Sequence, residues 1–291
     1  MHPDRSEFVN VRGIDYHCRI WGESGAPRLF CLHGWMDVSA SFQFLVDAMS
    51  PGMQVIAPDW RGYGQSGWSG SDSYWFPDYL ADLEGLLAHF QPDTPVSLLG
   101  HSMGANVACL YAGVRPDRVA SLINLEGFGM SAGRADGAPR RYARWLDELG
   151  DAGLVRDYAD FAALAARLQK NNARLPAERA LFLARHWGKE QGGGVVLRAD
   201  PAHKRINPVM YRLEEAEACW RQISAPVLWV EGAQSTTPQH IGLTTQDIDA
   251  RKRCFARLDS RVIADAGHML HHDQPAALAR VIEDFLAVPQ G

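Results

Sequence analysis

The 291-residue chain has only five cysteines, Cys18, Cys31, Cys109, Cys219 and Cys254, and no two of them form a C-x-x-C pair. An odd, scattered set argues against a disulfide framework and fits reduced thiols in the cytoplasm. No apolar run is long enough to span a bilayer. The opening stretch MHPDRSEFVN is charged where a signal peptide would need an apolar core. The chain has no lysine or arginine run and no acidic tail, and its net charge is −5, so a nucleic-acid partner is not expected. A G-x-G-x-x-G fingerprint and a Walker loop are both missing, which leaves nucleotide binding unsupported. Histidines are plentiful but never fall in H-E-x-x-H or paired-ligand spacing, so neither a metal nor another cofactor is expected.

What is present is a rhythm. EFVNVRG and IDYHCRIWG read as a hairpin turning near Gly13. RLFCLHG, MQVIAPDW, PVSLLG and VASLINLEG then read as strands, separated by helical patterns in SFQFLVDAM, WFPDYLADLEGLLAHF and GANVACLYAGV. Such alternation implies a mostly parallel sheet with helices on both faces. It stops near Phe128. Residues 128–222 carry helical signals only, broken by GRADGAPR and EQGGG. APVLWVEG, TTQDIDARKRCF, SRVIADAG and QPAALARVIEDFLA then resume the earlier order. The expected organisation is an α/β core over 1–127 and 223–291, with a helical cap over 128–222 inserted before the penultimate strand. In such a sheet ligands bind beyond the carboxyl ends of the strands.

One joint stands out there, Gly100-His101-Ser102-Met103-Gly104, between a strand signal and a helix signal. A very tight strand-to-helix turn strains its apex residue, and small flanking residues relieve the crowding. Ser102 then projects its hydroxyl above the sheet at a helix N-terminus, where free N–H groups favour developing negative charge. The Met103 N–H is placed to bond an oxyanion. These features make Ser102 a candidate nucleophile.

With LHGWMD, PDWRGYGQSG, GHSMG and GHMLHHDQP at the ends of successive strand signals, the sequence resembles the α/β-hydrolase-fold superfamily over nearly its whole length. Within it the chain resembles the serine-hydrolase-like branch, whose strand before the cap ends in an acid, as in some haloalkane dehalogenases. The resemblance implies a Ser–His–acid triad on an α/β-hydrolase fold with a helical cap. It implies His268, after the last strand, as the base that activates Ser102. The commoner acid position, fourth in a G-x-x-D pattern, is here Ser235, so the chain departs from the majority. The other acid position is Glu126, with Glu231 as the alternative and Asp265 a weaker candidate; the acid would orient His268 and stabilise its cation. The second oxyanion donor implied is the Trp35 N–H, each donor contributing about 3 kcal/mol to the transition state. Asp37, Asp59 and Arg61 are expected to hold loops. With serine where dehalogenases and epoxide hydrolases carry aspartate, those reactions are disfavoured.

The expected activity is hydrolysis of a carboxylic ester or thioester of a small to medium, largely apolar substrate through an acyl-enzyme. Carbon–carbon or amide cleavage uses the same parts, and a ligand-binding protein on a hydrolase scaffold is the alternative class. Phe128, Trp145, Phe182, Trp187 and Tyr211 are candidates for the pocket wall. The cap segment holds 16 Lys and Arg against 12 Asp and Glu, an excess that admits a CoA moiety or an acyl carrier protein as partner. Arginines on the solvated face of DYADFAALAARLQKNNARL, with Tyr158, Phe161, Leu164 and Leu168 turned inward, account for the same charge by packing alone.

Overall fold

The computed structural model describes residues 1–150 and 157–288. Strands β1 (Asp4–Val11) and β2 (Ile14–Trp21) form the expected hairpin, turning through Arg12 and Gly13, both at positive φ as a tight two-residue turn requires. β3 (Arg28–Leu32), β4 (Gln54–Pro58), β5 (Val96–His101) and β6 (Val119–Leu125) follow, interleaved with helices α1 (Gln43–Ala48), α2 (Phe76–Phe90) and α3 (Met103–Val114). The 128–222 segment contributes α4 (Ala138–Leu149), α5 (Phe161–Asn171), α6 (Ala177–Trp187), β7 (Gly188–Gln191), β8 (Gly194–Leu197) and α7 (Leu213–Trp220). β9 (Val227–Gly232) and β10 (Leu258–Ile263) complete an eight-stranded sheet in the order β1-β2-β4-β3-β5-β6-β9-β10. All its pairs from β4 to β10 are parallel.

Alternation along the strands fills both faces. Val96 and Leu98 of β5 pack with α2, α3 and α7 through Leu83, Leu87, Val107 and Trp220. Leu99, the residue after Leu98, points the other way, into a layer with Leu45 of α1 and Leu278 and Ile282 of the C-terminal helix Pro275–Ala287. Each such fully buried aliphatic side chain contributes about 2 kcal/mol.

One feature of the 128–222 segment differs from the helices-only reading, and one from its reading as a cap throughout. β7 and β8 pair as a hairpin around Gly192 and Gly193, both at positive φ, so EQGGG is a turn between strands rather than a break between helices. α7 lies against α3, on the face of the sheet rather than over its edge. In α5, Leu164 and Leu168 are buried with Tyr158 and Phe161 packed against them, as the spacing predicts.

Candidate functional site

Parallel register brings the interesting residues to one edge. β5 runs beside β6 with His101 opposite Leu125, so Ser102 and Glu126, the next residues, emerge side by side. β6 runs beside β9 with Leu125 opposite Val230, which sets Gly232 and Ser235 just beyond Glu126. β10 is the neighbour of β9, and its following loop carries His268. β3, on the other flank of β5, delivers the loop with Trp35.

The turn at Ser102 is strained, at φ 53° and ψ −114°, a region that residues with a Cβ rarely enter. Its flanking glycines are demanded by contact. A Cβ on Gly104 would lie 2.1 Å from the Leu32 carbonyl oxygen, and one on Gly100 would lie 2.4 Å from the Ala105 backbone. Glu126 also sits at positive φ (58°), as does Met36 in the loop after β3 (55°). Strain at two adjacent strand ends and in the loop after a third, all on one edge, is a mark of a functional site.

Glu126 is buried, and all its oxygens are engaged. Oε1 accepts from the Gly232 N–H at 2.7 Å, and Oε2 accepts from the Ser235 hydroxyl and from His268 Nδ1 at 3.1 Å. The bond from Nδ1 leaves the Nε2 lone pair free to accept a proton. No hydrogen bond joins the Ser102 hydroxyl to His268 among the described residues; such contacts are often long in free enzymes and tighten on substrate binding. Among the described residues the N–H groups of Trp35 and Met103 donate to no protein acceptor, which leaves them open to a developing negative charge.

The surrounding loops are held by buried polar groups. Asp59 accepts from Ser39 N–H at 2.7 Å, Gln65 N–H at 2.9 Å and His17 Nδ1 at 2.8 Å. Burial opposes its charge, but these bonds and the nearby His17 and His33 outweigh it and hold its carboxyl below the usual range. Arg61 clasps Asp82 with two nitrogens. His33 accepts from the Trp60 N–H at 2.9 Å, and burial lowers its pKa to about 4. Asp37 accepts from the Val38 N–H at 2.8 Å and from the Ser41 hydroxyl.

Ser102 and Glu126 open into a cavity of about 390 Å³, of the size that holds a small organic ligand. Its wall is aromatic and apolar, built from Trp35, Tyr74, Trp75, Phe76 and Phe128, with Arg205 and Asn207 as polar groups. Of the five pocket residues expected from sequence, Phe128 alone lines it. Tyr211 stands behind the wall, edge-on to Phe76 at 5.9 Å. Phe182 packs on Phe44 at 5.5 Å because α6 docks against the α1 side of the core. Trp187, at the end of α6, lies beside Asp37 and Tyr63, and Trp145 belongs to α4. The alternative acid Glu231 is turned away, paired with Lys252 and the Trp229 indole N–H at 3.0 Å. Asp265 is exposed and meets Gln234 rather than His268.

Sequence reasoning missed three supports. His101 Nε2 donates to the His268 carbonyl at 2.8 Å, fixing the loop that carries the imidazole. His203 is stacked between Tyr63 and Tyr74, each at 3.8 Å, and its carbonyl accepts from the Trp35 indole at 3.0 Å. Arg251, buried, donates to the Phe128 carbonyl and to that of Met130 at 2.9 Å, fixing the chain that leaves Glu126. No local signal marks these roles, since each partner is remote in sequence.

A parallel sheet with a strained serine turn at its carboxyl edge, next to a carboxylate–imidazole pair, defines a hydrolase class. The chain belongs to the alpha/beta hydrolase fold family, whose model matches residues 27–275. It is 26% identical over 300 residues to a serine hydrolase-like protein of Danio rerio, covering 98% of this chain and 90% of that protein. It is 28% identical to the lipase LipV of Mycobacterium tuberculosis, covering 94% and 98% of the two chains. Among solved structures, a thioesterase domain from the curacin biosynthetic pathway superposes with a TM-score of 0.84 at 26% identity, covering 97% of this chain and 99% of that one.

Proposed function

We propose that the protein is a serine hydrolase that cleaves a carboxylic ester of a small to medium, largely apolar substrate through an acyl-enzyme. The observation that carries this is the placing of Ser102, at a strained turn, on the wall of an aromatic cavity that also holds Glu126, itself bonded to His268. In this reading Ser102 Oγ attacks the acyl carbon while His268 Nε2 takes its proton. Glu126 stabilises the resulting imidazolium, and the Trp35 and Met103 N–H groups hold the oxyanion. The leaving alcohol departs with the proton from His268. Water then repeats the sequence and frees the acid.

Thioesters are the second substrate class, favoured by the likeness to the thioesterase domain. A cleft whose lining holds Arg140 and Arg141 beside the pairs Arg134–Asp136 and Arg144–Glu148 shares the 205–210 segment with the Ser102 cavity, and its net positive charge supports an anionic CoA moiety or an acyl carrier protein as the thioester's carrier. The five unpaired cysteines support a cytoplasmic setting, and no helix among the described residues is long and apolar enough to cross a membrane.

The test is turnover of p-nitrophenyl esters of rising chain length, beside the matching acyl-CoA thioesters. Turnover that Ser102→Ala reduces by about 10⁴-fold or more is expected. Tight binding without product release would instead favour a ligand-binding role.

A further inference from the structure

Behind the Ser102 site lies a second cluster that the reaction above does not use. Asp37, His271 and His272 are all buried, and one ligand atom from each lies within 4.8 Å of the other two. Asp37 Oδ2, His272 Nε2 and both ring nitrogens of His271 have no hydrogen-bond partner among the described residues. Buried polar groups left this way are rare and need a reason.

Their other atoms are anchored. Asp37 Oδ1 is held by the Val38 N–H and the Ser41 hydroxyl, which turns Oδ2 free. The Ser41 backbone lies against the His272 ring, and His272 Nε2 faces the cluster without a partner among the described residues. His271 is wedged between His101 at 4.5 Å, His272 at 4.2 Å and Phe42 at 5.4 Å. A carboxylate fixed through one oxygen by a backbone N–H and a hydroxyl, with its other oxygen free, matches the outer support of metal ligands.

We propose that Asp37, His271 and His272 form a binding site for one divalent transition-metal ion of the zinc class. Two imidazoles and one carboxylate select such ions over magnesium and calcium, which take oxygen donors. A zinc-class ion sits about 2.0–2.2 Å from each donor, so the three atoms close by about 1 Å on binding. No spacing in the sequence marks the site, because the carboxylate comes from the loop after β3 and the two imidazoles from the short helix Leu270–Asp273 that follows β10. Two neighbours work against the ion: Arg179, whose guanidinium donates to the His272 carbonyl at 2.6 Å, and the Trp187 indole N–H, a donor beside Asp37. A cluster of buried waters is the competing occupant.

Two measurements decide the matter. In crystals of the wild-type protein soaked with zinc, an anomalous peak at the zinc edge is expected among Asp37 Oδ2 and the two imidazoles. Density there without anomalous signal assigns the space to water and overturns the proposal. In calorimetry on chelator-treated protein, one zinc per chain is expected, with no heat from magnesium. Binding is expected to survive His268→Ala, which removes the neighbouring imidazole, and to weaken at least 100-fold in His272→Gln and in Asp37→Asn. Zinc at saturation is expected to raise Tm of the wild type by about 5 °C. Loss of zinc binding in His268→Ala, with full binding in His272→Gln, would place the ion at the Ser102 site and overturn the proposal. None of these results depends on turnover, so the proposal and the esterase reading stand or fall separately.

Discussion

Two carboxylates end adjacent strands, and geometry separates their roles. Glu126 receives three hydrogen-bond donors, one of them His268, while Glu231 is neutralised by Lys252. Glu126→Gln is therefore expected to lower kcat by about 10⁴-fold in single-turnover acylation, as loss of the orienting acid does in other triads. Glu231→Gln is expected to stay within a few-fold of wild type. Equal losses in the two variants would sink the assignment of the acid. Ser235 stands at the fourth position of G-x-x-D, and its hydroxyl donates to Glu126. Removing one hydrogen bond to a buried charge weakens the pair without breaking it, so Ser235→Ala is expected to lower kcat about ten-fold with little change in KM.

At the scale of elements, the β5–α3 joint is fixed by backbone contact. α3 begins so close to the end of β3 that only hydrogen fits on Gly104. Gly104→Ala is expected to destabilise the fold by about 3 kcal/mol through forced separation of the two elements, read from urea unfolding midpoints. An unchanged midpoint would mean that the joint relaxes freely. The joint itself was legible in sequence, because a strand pattern, two glycines and a helix pattern are all local. Glu126 and His268 follow from the family resemblance, which puts an acid and an imidazole after particular strands; the strand patterns alone leave Glu231 equally open. The β7–β8 hairpin was not legible: its strands are short, and GKEQ lacks any apolar alternation. The pocket wall was legible only in Phe128. Tyr74, Trp75 and Phe76 reach the cavity from the start of α2. An aromatic cluster in sequence shows that such a face is buried, not what it is buried against.

The whole molecule keeps several histidines neutral in its interior. Burial lowers His33 to about 4 and His203 to about 3. Their folded values lie below the unfolded one, so the unfolded chain binds more protons as pH falls. The stability they contribute is complete above about pH 6.5 and is lost as pH drops through 4, at about 1.4 kcal/mol per pH unit for each ring. Tm is expected to decline steeply from pH 6.5 to pH 4; a flat profile across that range would contradict the neutral, buried state of these rings. The central claim concerns the hydroxyl at the crowded turn, and covalent labelling tests it most directly. Incubation of the native protein with a fluorophosphonate, followed by mass spectrometry of intact chain and peptides, is expected to show one adduct per chain on Ser102, abolished by prior unfolding and strongly slowed in His268→Ala. An unlabelled native chain, or an adduct on another residue, would contradict the account.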